Sequence, residues 1–216
     1  MTDAYLDEEP APDAAPEFVS DQATVLVIAC GALAREIVDL IRLNRWRHLA
    51  VTCLPAKLHN EPQKIPDRLR EKIRANKDRF DKIFVAYADC GTGGQLDRVV
   101  TGEGAVRIGG PHCYSFFAGA EAFDAMAEDE LGTFYLTDYL ARHFDTLILD
   151  GMGLRKYPQM RDMLFGNYTR LMYLAQTDDP ALERKARAAA EALGLRFEKR
   201  HTGYGELAAF MAEAAQ

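Results

Sequence analysis

The sequence predicts an α/β fold, a mainly parallel sheet with helices on both faces in the Rossmann-like manner. Three observations predict it. Continuously apolar runs of strand length recur along the chain. Most are followed by a turn and then by a segment whose apolar residues repeat at helical spacing. The composition, 48% hydrophobic and 27% charged over 216 residues, belongs to a chain able to bury a full core.

The elements follow in order. Residues 1–21 carry Pro10, Pro12 and Pro16 among Asp, Glu and Ala, a composition that buries little, so residues 1–22 are expected to form a disordered tail. Residues 23–30 form an apolar strand that runs into Gly31 and a helix with Leu33, Ile37, Leu40 and Ile41 on one face. The pattern repeats with a strand at 49–54, a helix at 67–75 and a strand at 82–87, then a helix at 95–100 and a short strand at 105–108. Further strands are expected at 133–136 and 168–174, with an apolar stretch at 146–149 between them. Asp179 and Pro180 start a helix through Leu193, because Asp caps orphan N–H groups and Pro is tolerated in the first turn; Gly194 ends it. A strand at 195–198 and a helix at 206–214 close the chain. Residues 23–216 are expected to be one α/β domain, with 23–130 and 131–216 as lobes of related topology.

The formal charge of −7, from 26 basic and 33 acidic residues, argues against nucleic-acid or anionic-membrane partners. No apolar run reaches the roughly 20 residues that span a bilayer, and the N-terminal residues lack a positive region followed by an apolar one. A cytoplasmic protein with its four cysteines reduced is the expectation.

In open parallel sheets ligands bind at the carboxyl ends of the strands. Cys30, Cys90 and Cys113 all fall in such loops, with Gly31 and Gly91 following two of them and a Gly-Gly-Pro turn before the third. Cys53, among apolar neighbours in a strand, is read as core. Three thiolates on one sheet edge suit a soft or borderline metal, either zinc or an iron–sulfur cluster with an open iron. There is no Cys-x-x-Cys pair. His59, in the loop after the second strand, is a fourth ligand, a catalytic acid–base group or a substrate contact. His112, next to Cys113, is a comparable candidate. Asp89-Cys-Gly-Thr-Gly-Gly94 is a glycine-rich loop able to cradle an anion, so Gly31, Gly91 and Gly93 are read as cofactor-binding. No Walker or dinucleotide fingerprint accompanies them.

Ala29-Cys-Gly-Ala-Leu33 with Glu36, Leu58-His-Asn60 with Pro62, Tyr87-Ala-Asp-Cys-Gly91, His112-Cys-Tyr114 and Gly132-Thr-Phe-Tyr-Leu-Thr-Asp138 resemble the family of domain of unknown function 1638 (DUF1638), from about residue 23 onward. The resemblance implies an occurrence beside corrinoid proteins and corrinoid-dependent methyltransferases of one-carbon metabolism. The leading expectation is therefore a metal or iron–sulfur protein of methyl-group metabolism, with Cys30, Cys90 and Cys113 as ligands. The alternatives are a non-catalytic protein that docks on a corrinoid methyltransferase, and an enzyme with one cysteine as nucleophile and His59 or His112 as base.

Overall fold

The computed structural model describes residues 12–216. The chain divides into two compact units, one reaching to Cys113 and including Glu206–Gln216, the other comprising Tyr114–Gly205. Both are α/β, and both are built on parallel strands.

The first unit has a five-stranded sheet in the order β1-β3-β2-β4-β5. Its strands are β1 (Glu17–Phe18), β2 (Val25–Cys30), β3 (Leu49–Leu54), β4 (Lys82–Ala86) and β5 (Val106–Arg107). All pairs are parallel except β1 with β3. Every residue of β2 and β3 is buried, which is why these strands read as unbroken apolar runs without alternation. Between them, α1 (Ala34–Asn44) buries Ile37, Val38, Leu40 and Ile41. The helix α2 (Ile65–Asn76) opens with Pro66 and buries Leu69 and Ile73, and α3 (Gln95–Gly102) buries Leu96, Val99 and Val100.

The N-terminal segment corrects one expectation. Cys53 N–H donates to the Pro16 carbonyl at 2.9 Å and Lys57 N–H to the Pro12 carbonyl at 3.0 Å. Thr52 Oγ1 donates to Glu17 at 2.8 Å. From residue 12 the proposed tail is thus part of the fold, since proline lacks only the donor and its carbonyl still satisfies the edge of β3. The rest of that tail lies outside the described residues.

The second unit begins with α4, the helix Cys113–Ala118, whose first residue ends the first unit, and α5 (Ala120–Asp129). A three-stranded parallel sheet follows, β6 (Thr133–Leu136), β7 (Arg170–Ala175) and β8 (Arg196–His201), with β7 in the middle. Alternation along β7 divides the core. Leu171, Tyr173 and Ala175 pack with Leu182, Ala186 and Ala189, whereas Met172 and Leu174 pack with Phe123 and Met126. The edge strand β8 is largely exposed and rich in Arg and Lys, which discourages pairing with another chain.

Between β6 and β7, α6 (Asp138–Phe144) passes directly into a π-helical turn at Asp145–Asp150, followed by α7 (Met160–Phe165). The apolar stretch at 146–149 is that turn. The helix α8 (Pro180–Leu193) has Asp179 accepting from Ala181 N–H at 2.7 Å and Gly194 in the left-handed conformation at its end. The last helix, α9 (Gly205–Ala214), lies almost wholly in the first unit, where Phe210 meets Phe84 edge-on with ring centroids 5.8 Å apart. No helix among the described residues is long and apolar enough to cross a membrane.

A Cβ on Gly132 would lie 2.8 Å from the Asn167 carbonyl oxygen and 3.2 Å from Thr169 Oγ1. Gly132→Ala is expected to destabilise the protein by about 1–3 kcal/mol, measured by denaturant unfolding, because a backbone oxygen cannot retreat like a side chain.

Candidate functional site

Parallel strands in register carry four loops to one edge of the first sheet. Cys30 is the last residue of β2 and pairs with Leu54, the last of β3. A 3-10 turn at Ala56–Asn60 follows β3 and carries His59. On the other side of β2, Ala86 ends β4 opposite Ala29, and Tyr87 to Asp89 lead the chain to Cys90. Cys113 arrives from the loop after β5.

Backbone bonds then join two of these loops. Asp89 N–H donates to the Gly110 carbonyl and Cys90 N–H to the Pro111 carbonyl, each at 3.0 Å. Cys90 has φ 48°, a left-handed conformation that costs a non-glycine residue about 1–2 kcal/mol, and Gly91 continues it at φ 82°. In this arrangement Cys90 Sγ lies 3.8 Å from Cys113 Sγ. The turn is held by Asp89, whose carboxylate accepts from Thr92 Oγ1 at 2.6 Å and from the Gly94 and Gly93 amides at 2.8 and 3.0 Å.

The three thiols are not equivalent. Hydrogen bonding from Cys113 outweighs the cost of burial at Cys90, and His59 adds its own hydrogen bonding and positive charge, so that the Cys90 thiol is pulled down to about 5. Cys113, donating toward Cys30 and Cys90, keeps its proton far above the ordinary thiol range. Cys30 is lowered by Cys113 against the cost of its own burial, with help from the Ala32 amide and Tyr87. Cys113 has one S–H proton and can shield only one neighbour at a time. Two anions this close and this buried repel, and Cys90 is the better anion because His59 stands beside it. The imidazole of His59 is correspondingly raised, chiefly by Cys90.

The other predicted residues fall out as follows. Gly31 serves close packing, since a Cβ there would lie 3.2 Å from the Leu54 carbonyl oxygen and 3.3 Å from the Ala56 nitrogen. The Gly93 and Gly94 amides are turned onto Asp89, so the carboxylate of the loop itself occupies the donors that an external anion would need. Gly91 provides left-handed backbone beside Pro62. Cys53 is fully buried in β3 and burial pushes its thiol up, as expected of a core residue. His112 is exposed and acts on Cys90 through charge.

One residue of the site received no role from the sequence. Tyr87 is 1% exposed, and its hydroxyl has no well-formed hydrogen bond among the described residues, although it influences the Cys30 sulfur. Burial, followed by the charges of Cys30, Cys113 and Cys90, raises it far above the ordinary tyrosine range, so it remains a proton donor. Its position three residues before Cys90 was the available signal.

The metal expectation is corrected. Among the described residues no group of three or more His, Cys, Asp or Glu side chains is arranged to hold a metal ion.

A family model described as protein of unknown function (DUF1638) matches residues 53–211. The chain belongs to the DUF1638 family. The DUF1638 match takes in His59, Tyr87, Cys90 and Cys113, while β2 with Cys30 precedes it. Comparison with curated proteins gives no match. The DUF1638 description names no corrinoid, methyltransferase or methyl-transfer reaction. The expected role in corrinoid methyl-group metabolism therefore falls with the metal site.

Proposed function

We propose that this edge of the sheet is a thiol–imidazole centre in which Cys90 acts as a nucleophile on a small electrophilic substrate. The observation that carries the reading is the Cys113 sulfur 3.8 Å from the Cys90 sulfur, with His59 acting on the same thiol through hydrogen bonding and charge. A thiolate rather than a thiol attacks, and a thiolate is maintained near neutral pH only where such partners favour it. The left-handed turn at Cys90 supports the reading, because strained backbone concentrates at functional sites. Tyr87 supplies a buried hydroxyl that acts on the Cys30 sulfur beside this centre. His59 then returns its proton to the leaving group.

Thiolate ultraviolet absorbance tests this directly, because it requires no reagent to enter the site. Wild-type protein is expected to develop thiolate absorbance with a midpoint near pH 5, and Cys90→Ser is expected to lose that step. Rapid alkylation of Cys90 by iodoacetamide at about pH 6, where an ordinary thiol with pKa about 8.5 is almost wholly protonated, is the accompanying chemical readout. A wild type whose thiols ionise only above about pH 8 rules the proposal out.

A further inference from the structure

We infer that Cys113 is the resolving thiol of a Cys90–Cys113 dithiol pair and that the substrate class of the site is a small disulfide. This rests on the reading of Cys90 as the nucleophile and adds to it a second sulfur and a chemistry. The 3.8 Å between the two sulfurs is short of a bond but close to one, since a disulfide of about 2.05 Å needs the sulfurs to approach by less than 2 Å. Both cysteines lie beyond the strands, and the bonds from Asp89 to Gly110 and from Cys90 to Pro111 tie their loops together.

Cys30 is a poorer partner. It is the last residue of β2, and its backbone is fixed by pairing with Leu54, whereas Cys90 and Cys113 lie outside the ladder. Substrate size follows from exposure. Cys90 is 6% exposed and Cys113 only partly exposed, so a disulfide on the surface of a folded protein does not reach the attacking sulfur, whereas a small disulfide needs only a narrow approach.

The exchange balances as follows. The Cys90 thiolate attacks one sulfur of R–S–S–R, forming a Cys90–S–S–R bond and expelling RS⁻, which takes the proton of the His59 imidazolium. The neutral His59 accepts the Cys113 proton as the Cys113 sulfur attacks Cys90 Sγ. The second RS⁻ leaves, takes that proton, and a Cys90–Cys113 disulfide remains. The dithiol has lost two electrons and the substrate has become two RSH molecules. A thiol reductant restores the dithiol by the reverse exchange and is itself oxidised to a disulfide.

The test uses the full chain, reduced and then exposed anaerobically to hydroxyethyl disulfide, with acid quenching, alkylation and peptide mass spectrometry. Wild type is expected to release two equivalents of mercaptoethanol and to contain a Cys90–Cys113 link. Cys113→Ser keeps a hydroxyl donor beside Cys90, so it is expected to stop at the Cys90 mixed disulfide, halving the thiol released. A wild type that also stops at that mixed disulfide, or that links Cys90 to Cys30 instead, overturns the dithiol proposal while leaving Cys90 as nucleophile. A wild type with no Cys90 adduct overturns both.

Discussion

Replacing Asp138 by alanine is expected to lower stability by about 3–5 kcal/mol, with the loss arising in the unit Tyr114–Gly205. Asp138 is the first residue of α6 and is wholly buried. Its Oδ1 accepts from the Tyr173 hydroxyl at 2.7 Å and the Gln176 amide at 3.1 Å, while Oδ2 accepts from the Thr177 amide at 3.0 Å and its hydroxyl at 2.6 Å. In return Gln176 Oε1 accepts from Asp138 N–H at 2.8 Å. One carboxylate thus ties the start of α6 to the end of β7. Alanine leaves Tyr173 and Gln176 with buried donors and no acceptor, and each such orphan costs about 1–3 kcal/mol. Asp138→Asn retains one carbonyl acceptor and is expected to lose less. Urea unfolding of the two variants measures the difference, and a loss below about 1 kcal/mol for alanine would falsify the assignment of this network as a structural tie.

The second large effect concerns the thiolate itself. Cys113 is the main reason that Cys90 ionises so readily, with His59 next. Cys113→Ala is therefore expected to raise the Cys90 midpoint from about 5 toward the ordinary thiol range, cutting the thiolate fraction at about pH 6 to roughly a hundredth. His59→Ala is expected to act in the same direction and by less, and Cys113→Ser to stay close to wild type because it keeps a donor. Site-resolved alkylation across a pH series separates the three.

The sign of the accompanying stability change follows from the same shifts. The folded-state value of Cys90 is depressed, so its contribution is complete above the unfolded value of 9.0 and is lost as pH falls through about 5. His59 is raised above 6.5, so its contribution is complete below that value and is lost as pH rises through its folded value. The thiolate–imidazolium pair is populated between about pH 5 and the raised folded-state value of His59. Wild type is expected to lose stability relative to Cys90→Ser on acidification through about pH 5, and thermal unfolding across that range checks it.

Much of the fold is legible in residue order because burial acts locally. An unbroken apolar run such as Val25–Cys30 is a strand covered on both faces, and Asp179-Pro180 with Gly194 marks the two ends of α8. The helices α4 and α5 were missed, since residues 113–129 mix aromatic, small and acidic side chains without a clear stripe, and so were α6 and α7. The strand Glu17–Phe18 was hidden because its place depends on accepting carbonyls at a sheet edge, a backbone property that composition does not report. The loops that carry Cys30, Cys90, Cys113 and His59 were evident from strand ends. The role of Tyr87 was not, because an orphaned hydroxyl is defined by what surrounds it.

The sequence by itself determined that parallel strands would deliver sulfur and imidazole to loops at their carboxyl ends, because the period of apolar residues dictates which segments are strands and chain direction dictates which end each loop leaves. Tertiary structure alone decided what those sulfurs do to one another. Two backbone hydrogen bonds between the loops and a left-handed turn at Cys90 set the Cys90 and Cys113 sulfurs 3.8 Å apart, where each shifts the other's ionisation. The inequality of the thiols arises from contacts between residues more than twenty positions apart, which no local pattern encodes.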